Sequence, residues 1–131
     1  MPHTLINPPG LHDPVGFGYS HVARVSGELV LIAGQYASDD TGQVTSPDFT
    51  AQVRRSFQNL LTALRAAGLD HTHVVQLRTF IVDHDADKLA ALLTVIREVW
   101  GDRPPTQTLV GVASLAFPEM LFEVDALAVV P

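Results

Sequence analysis

The sequence predicts a two-layer α+β domain of order ββαβαββ, and three observations carry that prediction. Two stripes of apolar residues at helical spacing stand between stretches rich in β-branched residues. Those strand-like stretches fall two before the first helix, one between the helices and two after the second. The length, 131 residues, suits one compact domain, residues 1–131, with a core of its own.

Residues 1–18 hold four of the nine prolines and three glycines, so they read as an extended, irregular lead-in. A strand is expected at Tyr19–Val25. Ser26-Gly27-Glu28 then turns the chain into a second, strongly apolar strand, Leu29–Ala33, and the pair reads as a hairpin. Ser38–Pro47 is a polar loop. Ser46-Pro47-Asp48 offers a cap and a proline suited to a first helical turn. From there Val53, Phe57, Leu60, Leu61 and Leu64 form the stripe of a helix that Gly68 ends. Val74–Val82 reads as a strand. Asp85 caps a second helix with Leu89, Leu92, Leu93, Ile96 and Trp100 as its stripe and Gly101 as its stop. Pro104-Pro105 breaks the chain before a fourth strand, Gln107–Ala113. The fifth is Leu121–Val130. Alternation puts Phe122, Val124, Ala126 and Ala128 on one face of it and Leu121, Glu123, Asp125 and Leu127 on the other. Two helices cover only one sheet face, so a second subunit is expected on the other.

Composition supports that expectation. The chain is 47% hydrophobic and 17% charged, with mean hydropathy +0.21, apolar for a small domain with all of its surface in water. A net charge of -6 and scattered basic residues argue against nucleic acid as a partner. The absence of cysteine excludes disulfides, thiol nucleophiles and thiolate metal sites. Met1-Pro2-His3-Thr4 shows no basic leader, and no apolar run approaches a membrane span, so a cytoplasmic protein without membrane association is expected.

Several constellations each admit two readings. Asp83-His84-Asp85-Ala86-Asp87 begins like a calcium loop, but Lys88 and Thr94 stand where that loop needs glycine and a bidentate glutamate, so it reads as a helix cap. His71 and His73 have a spacing that strands use for zinc, yet no third ligand is indicated, and a polar connector is the better reading. Ser20 and Ser114 lack a nucleophile elbow, and Gly16-Phe17-Gly18 lacks the helix of a phosphate loop. Glu123 and Asp125 share a mostly apolar strand face. They read equally as an acid/base pair of raised pKa and as the solvent side of an edge strand or partners of Arg78 or Arg97.

Taken in order, Gly18-Tyr19-Ser20, Leu31-Ile32-Ala33-Gly34-Gln35, Thr41–Val44, Gln52–Leu60, Ala66-Ala67-Gly68, Val74–Leu77 with Asp83, Pro105–Val112 and Phe122–Ala128 resemble the Rid (reactive intermediate deaminase, or YjgF) family over nearly the whole chain. The resemblance implies a chorismate-mutase-like fold and a homotrimer with clefts between subunits. It also implies cofactor-free and metal-free hydrolysis of enamines and imines to 2-oxo acids and ammonia. Tyr19 matches the family's cleft tyrosine, and Glu123 the acid that positions water, so both are expected to act in catalysis in that cleft. Leu109 stands where many members carry cysteine.

One position departs. Gln107 occupies the place of the arginine that grips a substrate carboxylate. A guanidinium makes a bidentate, charge-assisted pair, whereas a neutral amide makes ordinary hydrogen bonds. Gln107 is therefore expected to bind an uncharged polar ligand. Arg103 is a candidate surrogate clamp, though a solvated loop arginine is the preferred reading of it. Two function classes follow: a Rid-type hydrolase of altered substrate, with weak or no activity on 2-imino acids, and a non-catalytic metabolite-binding trimer. A third, an endoribonuclease that inhibits translation, is disfavoured by the acidic pI of about 5.3.

Overall fold

The computed structural model describes residues 3–131; Met1 and Pro2, where the reading for a leader began, lie outside them. The elements are β1 (His3–Ile6), β2 (Val22–Val25), β3 (Glu28–Gln35), α1 (Phe49–Ala66), β4 (Val74–Val82), α2 (Ala86–Trp100), β5 (Thr106–Val112) and β6 (Phe122–Val130). Short 3-10 turns stand at Val15–Phe17 and His71–His73.

Four strands form one sheet in the order β3-β6-β4-β5. β4 and β5 run parallel, and the other neighbours are antiparallel. α1 begins where the Asp48 carboxylate accepts the Ala51 N–H, satisfying a donor that the first turn leaves free. Its stripe buries Val53, Phe57, Leu60 and Leu64 against the sheet. Phe57 sits edge-on to Trp100 of α2 and against Phe122 of β6. The buried amide of Gln52 donates to the Ser46 and Glu119 carbonyls and accepts the Leu121 N–H, which joins the loops preceding α1 and β6. Asp85 caps α2 in the same manner as Asp48 caps α1. The face α2 buries is rotated from the expected one. Leu92, Val95, Ile96 and Trp100 are buried, while Leu89 and Leu93 are half-buried at its margin. Along β6, Phe122, Val124, Ala126 and Ala128 face the helices as alternation requires.

Two expectations are corrected. β2 does not pair with β3; it pairs antiparallel with β1, from His3↔Val25 to Ile6↔Val22. The link residue Gly27 has φ +126°, and a Cβ there would lie 2.0 Å from the Val130 carbonyl oxygen. The link is thus pressed against the end of β6, and β3 takes β6 as its ladder partner while β2 departs in another direction. The second correction is β1 itself, a strand inside the stretch read as irregular. Four residues are too few for alternation to stand out. The order is therefore βββαβαββ. Gly18-Tyr19-Ser20 runs to the far edge of the sheet instead, where Ser20 donates from its N–H to the Pro105 carbonyl and from its hydroxyl to the Pro104 carbonyl. The outer sheet face carries no helix, and Leu31 on it is 75% exposed. No helix among the described residues is long and apolar enough to cross a membrane.

Candidate binding pocket

A cavity of about 650 Å³ opens between the lead-in, α2 and β5. His12, Phe17 and Tyr19 come from the lead-in, Leu89, Leu92 and Leu93 from α2, and Gln107, Thr108 and Leu109 from β5. Leu89 and Leu93, at the margin of the buried face of α2, form one wall together with the edge of buried Leu92. The lead-in reaches α2 because Gly18 adopts φ +81°, and a Cβ there would meet Leu93 at 2.7 Å.

Gln107 holds this arrangement. It lies in register with Leu77, and Leu77 with Ala126, so its side chain is on the helix-covered face of the sheet. There its Oε1 accepts from the Thr79 hydroxyl at 3.1 Å, and its Nε2 donates to the Gly18 carbonyl at 3.1 Å. Thr79 is fully buried, so its hydroxyl needs this partner. The amide is a strut from the sheet to the backbone just before Tyr19. The Tyr19 hydroxyl in turn lies 2.6 Å from His12 Nε2.

The expected site residues divide into three places. Tyr19, Gln107 and Leu109 meet within one chain. Glu123 does not join them, because it pairs with Phe80 on the outer face of the sheet. It rests on the backbone of Gly34, where a Cβ would fall 2.3 Å from Glu123 Oε2. Burial, then the neighbouring Asp125 carboxylate, raises its pKa above the ordinary glutamate value. Arg78 is paired with Asp125 at 2.6 Å, so the nearby cation neutralises that acid instead. Arg103 lines a separate cleft of about 170 Å³ with His3, His71 and Trp100, and it does not line the main cavity. The sequence reading missed His12, which stands in a proline-rich stretch, and Leu89 and Leu93, whose spacing was read as core.

Residues 12–130 match the family model described as Endoribonuclease L-PSP. The chain is 33% identical over 129 residues to the RutC family protein YjgH of Escherichia coli, covering 98% of this chain and 95% of that one. This is a Rid/YjgF family protein. Among solved structures of the family it is similar to the Rid protein YyfB from Yersinia pestis, a protein of unknown function, with TM-score 0.95, 37% identity and coverage of 99% of this chain and 100% of that one. It is also similar to E. coli TdcF, solved with bound serine, with TM-score 0.70, 28% identity and coverage of 80% of this chain and 83% of that one. The α+β fold expected from the resemblance is the Rid fold, and the family match begins at His12, leaving β1 outside it.

Proposed function

We propose that this Rid-family protein binds a small uncharged metabolite in the cavity between lead-in, α2 and β5. One observation carries the reading. Gln107, at the position where the resemblance implies a carboxylate clamp, has both ends of its amide engaged by Thr79 and Gly18. A bound carboxylate would meet leucine walls and no arginine or lysine among the lining residues, and an unpaired charge in such surroundings is costly. The serine held by TdcF supports the idea that this fold takes ligands of metabolite size. Three copies packed through the outer sheet face, with Leu29 and Leu31 inward, would remove the largest apolar exposure on β3. Light scattering at three times 14.1 kDa is the expected result.

The test couples an amino-acid oxidase to semicarbazide trapping of the imine. Wild-type protein should accelerate loss of simple 2-imino acids little or not at all. Gln107→Arg should raise kcat/KM by at most about thirtyfold, the equivalent of a regained pair of about 2 kcal/mol. Strong wild-type turnover would overturn the uncharged-ligand reading. It would favour a second reading, hydrolysis assisted by Glu123. The supporting observation is a carboxyl of raised proton affinity accommodated by Gly34. Because Glu123 and Gln107 occupy opposite faces of one sheet, that reading requires Glu123 of one copy to meet the cavity of another.

A further inference from the structure

The cleft of about 170 Å³ beside Arg103 lies where β1 meets the end of α2, and it shares no lining residue with the main cavity. We infer that this cleft binds a small zwitterion, an α-amino acid of alanine size, with Arg103 gripping the carboxylate and Asp102 the ammonium group. The two sites are independent, so failure of one leaves the other standing. His3 and Leu5 of the cleft belong to β1, which precedes residues 12–130, the part that matches the family model.

Charge sets the class of ligand. Asp102 and Arg103 are neighbours in the chain, and both are exposed at the cleft. The ion pairs among the described residues are Arg54–Glu98, His73–Asp70, Arg78–Asp125 and Lys88–Asp85, so Asp102 and Arg103 stand outside them. An anion alone would be drawn to Arg103 and repelled by Asp102, and a cation alone the reverse. A molecule that carries both charges answers both. A guanidinium meets a carboxylate with two parallel N–H donors. α2 ends at Trp100 on the same rim, and the negative end of its dipole favours an ammonium group. Volume sets the size. At about 30 Å³ per water the cleft has room for about five or six, enough for an alanine-sized ligand without a bulky side chain. Leu5, Val74 and Trp100 supply apolar surface for a short aliphatic group.

The backbone beneath the two charges is held before any ligand arrives. Gly101 stops α2 with its N–H on the Arg97 carbonyl at 2.8 Å, and the Arg103 N–H donates to the Trp100 carbonyl at 3.1 Å. Pro104 and Pro105 follow, both buried, and Ser20 bonds to the carbonyls of both. The Trp100 indole N–H donates to the His71 carbonyl at 2.8 Å, which ties two sides of the cleft together. Such fixing reduces the ordering cost of binding. His3 adds a donor. Its Nδ1 is buried without a partner. A sealed lone pair costs less than a sealed N–H, so the ring proton belongs on Nε2. Burial, then the Arg103 guanidinium, lowers the His3 pKa, which keeps the ring neutral and spares the ligand's ammonium group a second repulsion.

The chain has a single tryptophan, so the Trp100 indole N–H is an unambiguous reporter in the cleft wall. The experiment titrates the intact protein with L-alanine, propionate, ethylamine and L-phenylalanine and follows that resonance by NMR. L-Alanine should saturate with a Kd on the order of 1 mM, the strength open to so few atoms. Propionate and ethylamine each lack one charge and should bind about tenfold more weakly, the scale of one charge-assisted hydrogen bond. L-Phenylalanine, too large for the volume, should also bind more weakly. Arg103→Gln should weaken L-alanine by about tenfold, and Asp102→Asn should reverse the order so that propionate binds at least as tightly as L-alanine. Neither side chain belongs to the ion pairs of the fold, so both variants should keep the wild-type Tm. An indole resonance unmoved by L-alanine to roughly 100 mM, far above the expected Kd, would overturn the site. Wild-type protein binding propionate as tightly as L-alanine, or undiminished L-alanine affinity in either variant, would overturn the paired-charge recognition. L-Phenylalanine binding most tightly would overturn the size class. Each of these failures leaves the main cavity, and the function proposed for it, untouched.

Discussion

The lead-in, residues 3–25, and the body from β3 onwards are held in place by different forces. Every large buried apolar side chain of the core lies at Ile32 or beyond. The lead-in instead exposes Ile6, Leu11, Phe17, Val22 and Val25. It is attached by polar ties: Ser20 to the Pro104 and Pro105 carbonyls, and Gln107 to Gly18. The body is therefore secured by burial, which is diffuse and cooperative, and the lead-in by a few directional bonds, each worth about 1 kcal/mol net. The cavity is built across the seam between them. A site with one rigid wall and one lightly held wall can open locally while the core stays intact.

The comparison would break most visibly at Phe57. Phe57→Ala removes the ring wedged between Trp100 and Phe122 and should cost about 3–5 kcal/mol in urea unfolding. Leu5→Ala, in half-buried β1, should cost less than about 1.5 kcal/mol. Equal costs would mean that the lead-in is part of the same cooperative core.

A smaller effect sharpens the seam. Gln107→Leu leaves the buried Thr79 hydroxyl and the Gly18 carbonyl without their partner, a loss of about 1–3 kcal/mol. Hydrogen exchange should locate the change: the Ser20 amide exchanges faster, while amides in α1 and β6 slow or quicken only with global stability. If exchange at Ser20 does not change, Gln107 is not the strut of the lead-in.

The smallest expected effect concerns the body's outer face. Glu123 has a folded-state pKa raised first by burial and then by Asp125. The native state therefore holds this proton more tightly than the unfolded chain. Any stability from the neutral carboxyl is fully present below the ordinary glutamate pKa and is lost as pH rises through the folded value. Thermal unfolding of Glu123→Gln should match wild type at the acid end of that window and exceed it above the window. A wild-type advantage that grows with pH would reverse the assignment.

The body was largely legible in the sequence because its elements repeat a period: Val53, Phe57, Leu60 and Leu64 along α1, and Phe122, Val124, Ala126 and Ala128 along β6. Strand partnership was not legible. Ser26-Gly27 has the composition of a hairpin turn, yet composition does not say whether β3 gains more from β2 or from β6, since that choice depends on contacts distant in sequence. The site was legible in part. Tyr19, Gln107 and Leu109 came from the family resemblance, and Glu123 was assigned to its correct strand face by alternation. The same alternation applied to β5 would have set Gln107 beside Leu109 on the core face, opposite to Glu123. His12 carries no periodic signal, because its place in the cavity wall depends on where an irregular segment lies in space.

The sheet order has a consequence for how this chain is made. β6 lies between β3 and β4, although it follows all the other strands of this sheet in chain order. During translation β1 can find β2 and α1 can wind, because their contacts are local or between near neighbours in sequence. β3 and β4, however, face a gap that only residues 122–130 fill. Until those residues leave the ribosome, the nascent chain carries open strand edges beside unburied Leu77 and Ile81, the kind of surface that associates with other chains. The whole sheet is thus completed late, by a single strand arriving at its centre.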